Sequence, residues 1–296
     1  MNLFVSEIVN GLVLASFFAL LAGGLALIFG VVGIVNFAHG DFVMIAGYFF
    51  YEFYVYMHLP YLVAIVLTML ATAAFGGAIY WLALRHLIAR AWYAQLLATL
   101  GLSILFENIA QEIWSPNARS VATPSTLQTA MRIGTVNVTV QDLYVVIGTI
   151  ICLLSLWLVI AKTRWGKAMR AVSQNREACI VTGINVKLVA LLAFTISTAL
   201  CGLAAALVLP LQDVYPTVGL AFTTQAFVVV ILGGMGSMRG AVVAAVIIGL
   251  VDALAAGYIS SAYTDAFGYA VMILILLVHP AGLFGDPSQR RGWVAL

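Results

Sequence analysis

The chain has 296 residues, 64% of them hydrophobic and only 8% charged, with a formal net charge of +2. Soluble domains carry about 25% charged residues, and at a mean hydropathy of +1.11 no soluble fold could cover so much apolar surface. The composition therefore excludes a soluble enzyme or binding domain and specifies an integral membrane protein; the small net charge points to no nucleic-acid partner.

In chain order, the start MNLFVSEIVNG lacks the basic region of a cleavable signal peptide, so the first apolar run is expected to stay in the mature protein. A bilayer core of roughly 30 Å needs about 20 apolar residues per helix. Runs of that kind are expected over 9–34, 41–57, 61–84, 92–113, 142–161, 188–210, 218–235, 240–261 and 266–279, of which 41–57, 218–235 and 266–279 are short. The expected fold is an all-α integral membrane protein, a polytopic bundle of about eight or nine transmembrane helices. No linker or repeat array divides it, so 1–296 reads as one domain.

Between the first two runs lies GIVNFAHGDFVMIAGYFF (33–50), where Asn36, His39, Gly40 and Asp41 stand between apolar walls. Two readings fit. The polar groups could cap a helix, with Asp41 complementing its positive end. Alternatively, the segment could be a broken helix beside a translocation path, because irregular backbone at membrane depth must line protein or water.

Further on, the loop 114–141 carries Pro116, Pro124 and the alternating run RIGTVNVTV (132–140), which reads either as a short hairpin over the membrane surface or as a plain connection. Ionisable residues within the runs are few: Glu52, Glu107 and Asp252. Charge in a bilayer is costly, so each is either a functional group or an interhelical tie. Gln225, in TTQAF (223–227), could touch a solute or join helices.

The one long polar island is KTRWGKAMRAVSQNREACIVTGINVK (162–187). It holds six of the thirteen Lys and Arg residues. Ala168, Ala171, Ala178 and Ile180 trace one face of a short amphipathic helix, and Gly183 is placed to stop it. Past it, ILGGMGSMRGAVVAAVIIG (231–249) gathers Gly233, Gly234, Gly236 and Gly240 around Ser237 and Arg239. It lacks the G-K-[ST] ending of a phosphate loop and the soluble strand–turn–helix setting of a dinucleotide fingerprint. Glycine here permits a tight turn and close helix approach. This segment and 33–50 could also mark two halves of a weak internal repeat.

No H-E-x-x-H, Cys/His metal spacing, G-x-S-x-G elbow or Walker A loop is present, so no catalytic or metal-binding residue is assigned. Cys152, Cys179 and Cys201 show no pairing pattern. If the island is cytosolic, an alternating walk places Arg85, Arg90, Arg239, Arg290 and Arg291 with it. That puts eleven of thirteen basic residues on one side, with Arg119 and Arg132 outside. The bias favours an outside N-terminus and a cytosolic C-terminus.

Three separated segments resemble the branched-chain amino-acid permease family of ABC importers. They are N-F-A-H-G-D (36–41), G-K-A-x-R-A (166–171) with Ala178 and Gly183-Ile184 after it, and G-G-x-G-S-x-x-G (233–240). The run V-H-P-A-G-L-F-G (278–285) is similar to the family's usual ending, with His279 in place of its basic residue, and Met238-Arg239 departs from the usual apolar residue and Pro. The resemblance spans 33–284 and implies one permease subunit of an inner-membrane importer.

It further implies a second, homologous permease (a heterodimer rather than a homodimer), two cytosolic ABC ATPases that hold ATP and Mg, and a periplasmic solute-binding protein, with no cofactor in this chain. It implies a coupling loop at 162–187 that meets the ATPase through Gly166, Arg170, Ala171, Ala178, Gly183 and Ile184. It also implies a translocation path or hinge at Asn36, His39, Gly40, Asp41, Gln225, Gly233, Gly234, Gly236 and Ser237. The implied solute is a branched-chain amino acid, with urea, amides and aromatic acids carried by other members. The alternative outside the family is an ion-coupled secondary transporter that relies on Asp252 or Glu107.

Overall fold

The structure is a computed structural model that describes residues 2–88, 90–124, 127–133 and 136–285. The basic pair Arg290 and Arg291 lies outside the described residues. The helices are α1 (Asn2–Val32), α2 (His39–Tyr51), α3 (Tyr61–Leu82), α4 (Trp92–Trp114), α5 (Val140–Lys162), α6 (Arg164–Gln174), α7 (Arg176–Val181), α8 (Val186–Val208), α9 (Val218–Gly233), α10 (Met238–Tyr258) and α11 (Thr264–Val278). One antiparallel hairpin, β1 (Ala130–Ile133) and β2 (Val136–Thr139), pairs Met131 with Val138 in the loop where the alternating run suggested it.

Among the described residues, seven helices are long and apolar enough to cross a membrane: α1, α3, α4, α5, α8, α10, and α11 with the 3₁₀ turn before it. The other two expected runs are different objects. α9 has 16 residues. The run over 41–57 is a 13-residue α2 that passes into a π-turn at Glu52–Tyr56. At 1.5 Å per residue α2 is roughly 20 Å long, and it is buried along nearly its whole length. It is therefore a half-length helix inside the bundle rather than a lipid-facing span.

Burial follows sequence. α1 is apolar all round and forms the central post, packed on α8, α9, α10 and α5. Without a hydrophobic drive between helices in lipid, close approach depends on small residues. Accordingly, Gly249 of α10 meets the backbone of Ala15 and Gly11. α8, whose buried face is rich in Ala, joins α1 to α3. Phe42 of α2 gathers Phe75, Phe106 and Phe194 at ring-centroid distances of 5.9, 5.5 and 5.5 Å, which fixes α2 against α3, α4 and α8. α3, α4, α5 and α11 turn most of their surface outward.

Helix direction alternates. Val32, the α6–α7 island, the α9–α10 turn and residues 279–285 share one end of the bundle, where Gly30 meets Gly236 and Leu283 pairs with Leu232. The hairpin, the Arg119–Val214 bridge and the α10–α11 turn share the other. Asn2 and Gly285 thus lie at opposite ends of the bundle.

Candidate functional site

After α1 the chain does not start a new helix at the island end. Gly33, in the left-handed region at φ +74°, turns it back into the bundle as extended backbone. By His39 it has climbed to the middle of α1, where His39 donates from Nε2 to the Leu21 carbonyl (3.0 Å). Leu21 lies roughly 16 Å along the helix axis from Val32. Residues 33–38 therefore cross about half the bundle outside any helix. Among the described residues, only the Gly33 N–H, on the Phe29 carbonyl (3.0 Å), and the Asn36 carbonyl, accepting the His39 N–H (3.3 Å), join the backbone bonding of the flanking helices.

Unpaired backbone at this depth costs several kcal/mol per group. Side chains from other helices supply the partners. Thr99 of α4 accepts the Phe37 N–H (3.2 Å). Thr223 of α9 accepts the Gly40 N–H (2.8 Å) and donates to the Phe37 carbonyl (3.1 Å). Asn36 accepts the Ala38 N–H through Oδ1 (3.2 Å). Thus Asn36 pairs the N–H of the residue just before α2, the His39 ring goes to α1 instead, and the Gly40 N–H inside the first turn is taken by a threonine from a helix far along the sequence.

The same place holds the start of α9, whose first turn packs on the first turn of α2 while the two helices run in opposite directions. A Cβ on Gly40 would collide with the Gly219 carbonyl and the Thr223 backbone nitrogen, and a Cβ on Gly219 would collide with the Asp41 carboxylate. Two positive helix ends therefore meet mid-bundle with a carboxyl group between them. Asn36, His39 and Asp41 are buried, and Asn36 Nδ2, Asp41 Oδ2 and the nearby Ser197 hydroxyl have no hydrogen-bond partner among the described residues.

The other residues expected on one path are dispersed. Gln225 turns away and donates to Asp265 (3.4 Å), at the start of α11. Gly233, Gly234, Gly236 and Ser237 form the α9–α10 turn, roughly 20 Å from the break along α9. There Gly234 (φ +99°) and Gly236 (φ +83°) need the left-handed region. Ser237 caps α10 by accepting the Gly240 N–H (3.1 Å). The run after α11 docks on this turn: Leu283 and Phe284 donate their N–H groups to the carbonyls of Leu232 (2.8 Å) and Gly233 (3.0 Å). Asp252 is buried against Gly268 of α11, Glu52 accepts from Trp114 (2.9 Å), and Glu107 accepts from Gln111 (3.3 Å).

The island forms two helices rather than one. Asn175 breaks it by accepting the Ala178 N–H (2.9 Å) and capping α7. The buried stripe is Gly166, Met169, Val172 and Cys179, while Ala168 and Ala171 are half-buried. The expected alanine face thus lies one residue away from the face that packs. Gly166 is at an elbow: a Cβ there would collide with Ile160, and the Arg170 guanidinium donates to the Ile160 carbonyl at the end of α5. At the far tip, Ile184 donates to the Cys179 carbonyl (2.9 Å) and Gly183 (φ +81°) to the Ile180 carbonyl (3.1 Å). This is the Schellman closure of a helix. It leaves Ile180 at 61% and Val181 at 87% exposure.

Sequence reading missed Thr99, Thr223 in its capping role, Gly219, Ser197 and the tip formed by Ile180 and Val181. A short polar side chain inside an apolar run was the available signal for the threonines.

A family model described as "Branched-chain amino acid transport system / permease component" matches residues 7–276. The chain is 30% identical to the high-affinity branched-chain amino acid transport system permease protein LivH of Escherichia coli K12, over 97% of each chain. It is 29% identical to the corresponding BraD protein of Pseudomonas aeruginosa, over 97% of this chain and 98% of that one. A shorter match, 31% identical, covers 40% of this chain and 28% of the E. coli permease protein LivM.

Proposed function

The chain belongs to the family of branched-chain amino acid transport permeases, and from that premise we propose how its parts move a solute. It is a multi-pass inner-membrane permease subunit of an ABC importer for branched-chain amino acids, not an enzyme. The observation that carries this reading is the match to LivH along 97% of both chains. A second, similar permease completes the pathway; the partial match to the LivM permease protein, which carries the same transport-system description as LivH, supports this. Two cytosolic ATPases that bind ATP and Mg drive the cycle, and an external binding protein delivers the solute.

The island end is the cytosolic end, because the basic residues collect there. In our reading the ATPase grips the α7 tip: Ala178, Ile180, Val181 and Gly183 offer an exposed apolar knob with little side-chain bulk. Gly166 and Arg170 serve behind it. They fasten α6 to the end of α5, so that a push on the tip reaches the membrane helices as a rigid lever. Ile184 anchors the knob's exit towards α8.

The moving joint is the contact between the first turns of α2 and α9. Both are half-length helices; apart from the His39 N–H on the Asn36 carbonyl (3.3 Å), their hydrogen bonds to the segment before α2 run through side chains, so they can shift without breaking a continuous backbone ladder. When they part, Asn36 Nδ2 and Asp41 Oδ2 become available to water or solute. The second permease packs along α4. That helix has the lowest hydropathy of the seven candidate spans, at 1.3. Its outward face carries Gly101, with open space around it, together with Asn108 and Glu112. Polar groups on a membrane face call for a protein or water neighbour rather than lipid.

The test is ATP hydrolysis by the reconstituted assembly with its binding protein. Stimulation by leucine, isoleucine or valine is the expected result. Stimulation only by a different solute overturns the substrate, and the absence of any co-purifying ATPase overturns the importer.

A further inference from the structure

We propose that the cleft between α5, α6 and α10 holds the headgroup of an anionic phospholipid from the cytosolic leaflet. The cleft measures about 1200 Å³ and opens at the island end of the bundle. Its floor is the last turns of α1 around Gly30, one wall is Trp157 and Ile160 of α5, and the other is the start of α10. α6 and the first residue of α7 close it on the cytosolic side. The cleft is therefore apolar towards the bilayer and polar at the level where headgroups lie.

Three cations line that polar rim: Arg170, Arg176 and Arg239. No acidic residue lines the cleft among the described residues. Arg170 is committed to the Ile160 carbonyl, whereas Arg176 and Arg239 are exposed and make no hydrogen bond or ion pair among the described residues. Ser173 and Ser237 add hydroxyl groups beside them. Two free guanidinium groups above an apolar trough match a phosphodiester whose acyl chains run down between helices. Basic pockets between transmembrane helices on the cytosolic side bind anionic lipid headgroups by this means. Trp157, 44% exposed at the mouth, has the amphipathic ring that favours the interface. The site lies across α1 from the α2–α9 joint and away from the α4 face. It rests on the chain's crossing a membrane and not on what the chain transports.

The experiment is native mass spectrometry of the full chain, purified with its partner subunits and equilibrated with phosphatidylcholine vesicles containing phosphatidylglycerol. The expected result is retained phosphatidylglycerol without retained phosphatidylcholine. Arg176→Gln and Arg239→Gln each weaken retention roughly fivefold, and the double Arg→Lys variant keeps it. Both arginines are exposed, so these changes leave the fold intact. Equal retention of both lipids, or unchanged retention in the double glutamine variant, overturns the proposal. Displacement by inorganic phosphate alone also overturns it, and assigns the cleft to a free anion.

Discussion

Gly40 and Gly219, far apart in the chain, lie backbone to backbone at the meeting of two helix starts. Nothing larger than hydrogen fits on the facing side of either. Adding a methyl group into a packed site costs about 1–3 kcal/mol; at Gly40 the obstruction is main chain, the Gly219 carbonyl and the Thr223 nitrogen, and at Gly219 it is the Asp41 carboxylate with the Asp41 backbone behind it. Gly40→Ala and Gly219→Ala are each expected to lower the unfolding temperature of the purified assembly and to abolish uptake. Unchanged uptake in either variant would show that α2 and α9 need not touch.

Thr223 serves two backbone groups at once, the Gly40 N–H and the Phe37 carbonyl. Leaving a buried group unpaired costs about 1–3 kcal/mol each. Thr223→Val, which keeps the shape, is expected to destabilise the fold by about that amount for each group and to slow uptake. Thr223→Ser is expected to stay near the parent. Thermal unfolding of the three proteins side by side decides it.

The α7 knob makes a prediction that separates coupling from folding. Val181 and Ile180 are exposed, so Val181→Asp and Ile180→Asp should leave stability within about 0.5 kcal/mol. Hot-spot contacts cost about 2 kcal/mol or more when lost. Solute-stimulated ATP turnover is therefore expected to fall at least roughly tenfold, while the binding protein still captures solute. Normal turnover would move the ATPase contact elsewhere on the island.

The seam along α4 can be mapped by photo-cross-linking. A reactive residue at Gly101 or Asn108 is expected to capture the second permease. The same residue at Ile150 or Leu154, exposed on α5, is expected to capture lipid. The reverse pattern would exchange the two faces.

The long helices were legible because the bilayer imposes their length and composition. α1 and α8 follow from apolar runs, and the hairpin from strict alternation around Val136 and Val138. The half-length α2 was not legible: 41–57 is apolar enough to read as a span, and only the tertiary positions of Leu21 and Thr223 reveal where it begins. The site showed the same division. Asn36, His39, Gly40 and Asp41 were found together because polar residues inside apolar walls are conspicuous. Their partners Thr99 and Thr223 were hidden, because a single threonine in an apolar helix commonly satisfies itself on its own turn. The island's register slipped because alanine can face either way, so Ala168 and Ala171 carried less information than Met169 and Val172.

The docking of Leu283 and Phe284 on the carbonyls of Leu232 and Gly233 has a consequence for biogenesis. The α9–α10 turn cannot be closed when it leaves the ribosome, because the strip that covers it follows two further helices. Until α11 has entered the bilayer, those carbonyls must be held by water or lipid headgroups. Insertion of this protein is thus fastened from its last turn backwards, and shortening the chain before Leu283 would leave α9 and α10 inserted but unlatched.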